Sequence, residues 1–234
     1  MSGKLRRYVT QTRVAVSDLG FSIFENILSP EECNSLAKAI GGALSGRAGT
    51  RNLLSNPAVS SLAHDSRLLQ LAAEALGTCA VPFRATLFDK STDSNWHVCW
   101  HQDRALPLVK RIESLEWGPW STKSGVLYAL APAWAMDGVV ALRIHIDAST
   151  NSNGPLRVIP RSHKLGVISA PAITRTINSV PATTCIVGRG GVVAMRPLLL
   201  HSSTKAIDNE PRRVVHIEYA SSLNIAPNVH LRVA

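Results

Sequence analysis

The sequence lacks the cysteine spacing that structural metals and disulfide frameworks use. Its four cysteines, Cys33, Cys79, Cys99 and Cys185, lie far apart with no CxxC pair. In a chain of this size that argues against a disulfide scaffold and a structural zinc site, and all four read as buried thiols. Long apolar runs are missing too: stretches such as Val139–Leu142 and Leu198–Leu200 fall far short of the roughly 20 residues a membrane helix needs. The basic opening, residues 1–8, has no apolar segment behind it, so no secretory leader is expected. The closing residues 230–234 are not a peroxisomal tail. A cytoplasmic protein without a membrane segment is the expectation. There is no linker-like Pro/Gly/Ser stretch, internal repeat or low-complexity tract, so residues 1–234 predict one domain. Gly-rich phosphate loops, nucleophile elbows and helix-turn-helix spacing are also absent.

What the chain has in excess is positive charge, +9 with a pI near 9.9. Such a balance favours anionic partners: nucleic acid, phosphorylated or carboxylated small molecules, or CoA esters. General solubility is the competing explanation. The basic residues are spread along the chain rather than gathered into one arm, which makes nucleic acid the less expected partner.

Two grammars divide the sequence. In the first third, Gly20–Phe24 reads as a short strand, and Ser29-Pro-Glu-Glu as a helix start with a Ser N-cap, Pro at N1 and a capping-box Glu. Leu36, Ile40 and Leu44 follow at helical spacing. A second helix fits Asp65 to Leu76, closed by Gly77. From about residue 84 the pattern becomes short runs rich in β-branched and aromatic residues: 84–88, 96–100, 139–146, 156–159, 184–187, 192–195 and 213–219. Turn signals such as Asn153-Gly-Pro and Gly188-Arg-Gly-Gly separate them. Many strands without intervening helices predict a sandwich or barrel with the two helices outside it. Residues 117–135, with Gly-Pro and Ala-Pro steps, read as a long loop that could wall a binding site.

Against that background one constellation carries chemistry. His-x-Asp occurs twice, at His101–Asp103 and His145–Asp147. With eight His and eight Asp in 234 residues, roughly 0.3 matches are expected by chance, so one match alone is a weak motif. Its physical sense is that residues separated by one on extended chain point the same way. With a third His they can cap one face of an octahedral metal and leave three positions open, as in non-haem Fe(II) oxygenases; zinc is the rival metal. His145 and Asp147 would share a strand face with Arg143, whereas His101 ends a strand before a polar stretch that suits an open site. Spacing leaves both pairs in play. His201, closing the apolar run from Val192, is the third candidate. Arg212, eleven residues on, opens the next strand with a guanidinium fork suited to a carboxylate. Arg213 would face the other way. Alone, each would read as a core histidine or a surface charge.

Together these residues resemble the phytanoyl-CoA dioxygenase-like branch of the 2-oxoglutarate oxygenases. Trp100-His-Gln-Asp103 resembles its metal motif, Asn153-Gly-Pro-Leu-Arg-Val-Ile-Pro-Arg-Ser-His-Lys-Leu-Gly166 its strand-turn signature, and His201-Ser-Ser203 with Arg212 its distal histidine and cosubstrate arginine. The resemblance runs from about residue 18 to 220. It implies a mainly β chain with flanking helices: a helical or mixed part over about 1–80 and a double-stranded β-helix (jelly-roll, cupin-like) core over about 81–222. It implies Fe(II) on His101, Asp103 and His201, in preference to His145 and Asp147, because in that branch the metal pair precedes the Asn-Gly-Pro strand by a long loop. It implies 2-oxoglutarate held by Arg212 with Ser203, Arg143 near it, and O2 as co-reactant. The implied activity is hydroxylation or another oxidation of a small molecule, with decarboxylation of 2-oxoglutarate to succinate and CO2. Asp103 disfavours halogenation, because halogenating relatives replace that carboxylate with a small residue. The chain is shorter than the family's namesake, so a CoA substrate is not carried over. Trp96, Trp100, Trp117 and Trp120 read as core or lid packing, and Lys110, Arg111 and Lys123 as a solvated face or contacts to an anionic substrate. A monomer or homodimer is expected. A nucleic-acid- or protein-directed oxygenase and a non-catalytic binding protein on the same fold are the other readings.

Overall fold

The computed structural model describes residues 15–41, 49–90 and 95–234. The predicted helix start forms α1 (Pro30–Ile40): the Ser29 hydroxyl accepts from the Glu32 N–H at 3.2 Å, and the Glu32 carboxylate accepts from the Ser29 N–H at 2.7 Å. Leu44 lies outside the described residues. The chain then makes a helix that the sequence reading passed over, α2 (Pro57–Ala63), capped by the Asn56 side chain. In α3 (Ser66–Leu76) Asp65 is the N-cap and Gly77 closes the helix at φ 76°. That backbone region is open to glycine at little steric cost.

These helices bury Cys33, Leu36, Ile40, Leu68, Leu71 and Ala72 against one face of a six-stranded antiparallel sheet. Its order is β1 (Phe21–Phe24), β11 (Val192–Met195), β8 (Val139–His145), β13 (Arg212–Ala220), β3 (Val81–Lys90) and β2 (Gly49–Thr50). Strand alternation sorts the two faces. Ala85, Leu87, Leu142, Ile144, Val215, Ile217 and Tyr219 join the helix-side core. Residues of opposite parity pair across the other face, Arg212 with Lys90, His216 with Thr86 and Arg143, and Glu218 with Arg84. That second face is polar because it borders the site.

Opposite it lies a four-stranded sheet ordered β10 (Thr183–Cys185), β9 (Leu156–Val158), β12 (His201–Ser203) and β4 (Val98–His101). Two antiparallel sheets facing each other make the expected jelly roll. His201 does not close the Val192 strand as expected. That strand ends at Met195, the Leu199 N–H donates to the Arg196 carbonyl across a turn containing Pro197, and His201 opens a new strand in the other sheet.

Residues 117–135 are not a long loop. They hold β6 (Trp120–Lys123) and β7 (Val126–Leu130), which pair with β5 (Ala105–Leu108) in a third sheet, and enter α4 (Ala133–Asp137). Ser124 and Gly125 make the hairpin turn with φ of 49° and 74°, the two positive values that a tight hairpin favours. The Gly-Pro and Ala-Pro steps suggest a loop, but the Ser-Gly pair is the local signal for this hairpin. A further helix, α5 (Ala170–Ser179), interrupts the strand region; it half-buries a stripe of Ala172, Ile173, Thr176 and Ile177, and none of its residues is fully buried. Cys33 and Cys185 are buried thiols, whereas Cys79 and Cys99 are exposed. Among the described residues no helix is long and apolar enough to cross a membrane.

Candidate metal centre and its two cavities

His101 and His201 are register partners where β4 and β12 pair, which puts their imidazole centroids 4.2 Å apart. Gln102 sets the local geometry: its amide donates to the carbonyls of Gly166 (2.7 Å) and Leu198 (2.8 Å) and accepts from the Ile168 N–H (3.1 Å). With Gln102 tied down on one side, His101 and Asp103 are directed to the other. The Asp103 N–H donates to the Pro197 carbonyl at 2.9 Å, anchoring the carboxylate beside the turn that leads to His201.

The protonation of the rings follows from their partners. Nδ1 of His101 lies 2.8 Å from the Cys99 carbonyl, and Nδ1 of His201 lies 2.8 Å from the Leu199 carbonyl. A carbonyl can only accept, so each Nδ1 carries the proton. In the neutral rings both Nε2 lone pairs then face the carboxylate, 3.5 Å and 3.4 Å from the two Asp103 oxygens. One ligand atom from each of the three residues lies within 4.8 Å of the others. Three acceptors converging on one point make a set that could hold a metal ion, and backbone-oriented imidazoles are the usual support of such a site.

The second His-x-Asp is not brought together in this way. Beyond the end of β8 the carboxylate of Asp147 accepts from the N–H, Nε and Nη2 of Arg213 at 2.9, 2.7 and 2.8 Å. His145 stays on the inner face, where burial and the charges of Arg143 and Arg212 push its pKa down to about 3.

Beside the triad a cavity of about 80 Å³ opens between the sheets, bordered by His101, Asp103, His201, Arg143, Ser203 and Arg212. All six predicted site residues therefore line one space. Arg212 Nε donates to the Asn153 carbonyl at 3.2 Å, but its Nη1 is buried without a partner among the described residues, as is Nε of Arg143. Lys90, which the sequence reading missed, is almost fully buried opposite Arg212 and donates to the Ser203 hydroxyl at 3.0 Å and to the Thr204 carbonyl. Burial, with Arg212 and Arg143, pushes its pKa down to about 7. Two guanidiniums with unfilled donors, with Lys90 beside them, form a cradle for a compact anion.

A second cavity, about 470 Å³, meets the first at Asp103, Phe88 and Trp96. His216 ties the two together: its Nδ1 accepts from the Arg143 guanidinium at 3.3 Å, while the ring lines the larger cavity. Arg84 and Glu218 pair in its wall. Neither was singled out from sequence, although alternation along β3 and β13 puts Arg84, Lys90 and Glu218 on the site's face, where charge is unusual enough to mark them. Lys123 lines this cavity, whereas Arg111 stacks on Trp120 beside a separate groove and Lys110 is exposed. Trp96 borders both cavities, Trp117 is buried, and Trp100 carries Arg157 on its ring.

The same architecture recurs in solved structures. AviO1 from Streptomyces viridochromogenes Tue57 superposes with a TM-score of 0.68 at 21% identity, covering 90% of this chain and 94% of its own. EctD from S. alaskensis with bound Fe gives 0.69 at 20% identity over 100% and 87%. The non-heme alpha ketoglutarate-dependent carbocyclase SnoK from nogalamycin biosynthesis gives 0.69 at 13% identity over 90% and 83%. At these identities the likeness speaks for the fold. No curated protein sequence matches the chain. The family match is direct, spanning residues 17–214. The chain belongs to the phytanoyl-CoA dioxygenase (PhyH) family of Fe(II)- and 2-oxoglutarate-dependent oxygenases.

Proposed function

We propose that this protein oxidises a small-molecule metabolite or natural product, most simply by hydroxylation, with His101, Asp103 and His201 as the iron ligands. The observation that carries this reading is the commitment of both Nδ1 protons to backbone carbonyls, which turns two lone pairs and a carboxylate toward one point. Bound Fe(II) and 2-oxoglutarate supply O2 activation coupled to decarboxylation of the cosubstrate to succinate and CO2. Arg212 takes the distal carboxylate of 2-oxoglutarate, and its unpartnered Nη1 supports that assignment. Ser203 positions Lys90 beside it, and Arg143 adds a third donor. The jelly-roll walls keep this cradle out of bulk water, where charge-assisted hydrogen bonds count for more. The larger cavity then receives the substrate, and Arg51 and Lys123 at its edge, which have no carboxylate partner among the described residues, favour an anionic one.

The test is to load the protein with Fe(II) under anaerobic conditions and titrate in 2-oxoglutarate. A metal-to-ligand charge-transfer band should develop in the parent protein and be missing from His201→Ala, which should still fold. A band of full intensity in His201→Ala would overturn the ligand assignment.

A further inference from the structure

The wall of the larger cavity carries polar atoms that the protein itself leaves unsatisfied. Glu218 and Tyr128 are almost fully buried. One Glu218 oxygen accepts from Arg84 Nε, while the other, Oε1, is buried without a partner among the described residues; so is the Tyr128 hydroxyl. Both residues line the cavity. A buried polar atom left unpaired costs free energy in the empty protein, and a fold retains such atoms where a ligand completes them. Arg84 serves as the bracket that aims Glu218: its Nε donates to that carboxylate, its Nη1 donates to the Ala105 carbonyl at 2.7 Å, and its guanidinium sits 5.6 Å from the centroid of the Tyr128 ring.

The charges at the opening differ from those in the wall. Arg84 and Glu218 cancel, and Asp103 faces the two imidazoles. Arg51 and Lys123 are exposed on the cavity's edge, and neither has a carboxylate partner among the described residues. Lys123 Nζ stands 5.8 Å from the centroid of that same Tyr128 ring. The cationic edge and the unsatisfied wall therefore adjoin across a single aromatic side chain.

We propose that the larger cavity binds a small anion that also carries a hydroxyl or amino donor: the donor meets Glu218 Oε1 and the Tyr128 hydroxyl, and the acidic group meets Arg51 and Lys123. The proposal rests on the cosubstrate reading above, which leaves this cavity for the substrate. The Glu218 carboxylate accepts and cannot satisfy a second carboxylate, so a plain acid can take the Tyr128 hydroxyl but leaves Glu218 Oε1 unpaired. A neutral diol satisfies the wall and leaves the edge cations unused. Only a molecule with both groups completes the cavity.

The probes are ω-hydroxy acids of four, six and eight carbons, with the matching plain acids and diols. Each is titrated by calorimetry into anaerobic Fe(II) protein whose charge-transfer band shows 2-oxoglutarate in place. At the best chain length the hydroxy acid should bind at least about tenfold more tightly than either control, the loss expected for one unmade buried hydrogen bond to a charged group. Tyr128→Phe removes a hydroxyl with no partner among the described residues, so the melting temperature should hold or rise while the preference over the plain acid shrinks. Lys123→Met should shrink the preference over the diol instead. Equal binding of the plain acid and the hydroxy acid, or no binding by any probe to protein that shows the band, would overturn the proposal. Absence of the band itself would strike at the cosubstrate reading beneath it.

Discussion

Replacing Arg212 with alanine should weaken 2-oxoglutarate binding by roughly 30- to 300-fold. Truncating one partner of a buried, hydrogen-bonded charge pair costs about 2–5 kcal/mol. The loss belongs in the lower part of that range, about 2–3.4 kcal/mol at tenfold per 1.4 kcal/mol, because two cations stay behind: Lys90 opposite Arg212 in register and Arg143 on the same cavity wall. Arg212→Lys should recover only part of the affinity, since a point charge cannot both hold the Asn153 carbonyl and present a fork. Arg213→Ala is the informative control. Its side chain turns away from the cavity to Asp147, with bonds of 2.7 and 2.8 Å on a partly exposed surface. Its removal should cost about 1–2 kcal/mol of stability, discounted for solvent screening, and leave cosubstrate affinity unchanged. The assay is titration of 2-oxoglutarate into anaerobic Fe(II) protein, read by the charge-transfer band, with urea unfolding of each variant alongside. Loss of affinity in Arg213→Ala with none in Arg212→Ala would refute the register on which the cosubstrate site rests.

Two further outcomes follow from the same geometry. Asp147→Ala should keep full iron stoichiometry by metal analysis and lose stability through its broken pairing with Arg213, whereas Asp103→Ala should lose iron; the reverse pattern would make the second His-x-Asp the metal pair. Lys90 should impose a pH dependence above neutrality. Its folded pKa of about 7 lies below the ordinary 10.5, so between those values the unfolded chain holds the extra proton and apo stability should rise with pH, with no contribution from this group below 7. A bound dianion favours the protonated amine, so 2-oxoglutarate affinity should fall over the same window, by up to about tenfold per pH unit. Lys90→Met should flatten both curves in urea unfolding and in cosubstrate titration; undiminished slopes would assign the titration to another group.

Local signals in the sequence were enough wherever the chemistry was local. The capping box at Ser29, the Gly77 stop and the strand-forming runs 139–146 and 213–219 each act within one element; the two caps formed as read, and the strands formed within a residue of the expected bounds, as Val139–His145 and Arg212–Ala220. The choice between His101–Asp103 and His145–Asp147 did not lie in spacing, since both have the same local form; resemblance to a family favoured the first. Tertiary structure separates them physically. A strand pairing sets His101 against His201, and Arg213 claims the Asp147 carboxylate. Lys90, Arg84 and Glu218 sit in strands whose parity was legible, but parity alone does not say which face meets a core and which meets a cavity. That depended on the helices covering one side of the large sheet and the second sheet facing the other. Sequence determined the elements and the donor types; packing between distant strands decided which donors converge, because convergence is a property of register and layer order that no single segment carries.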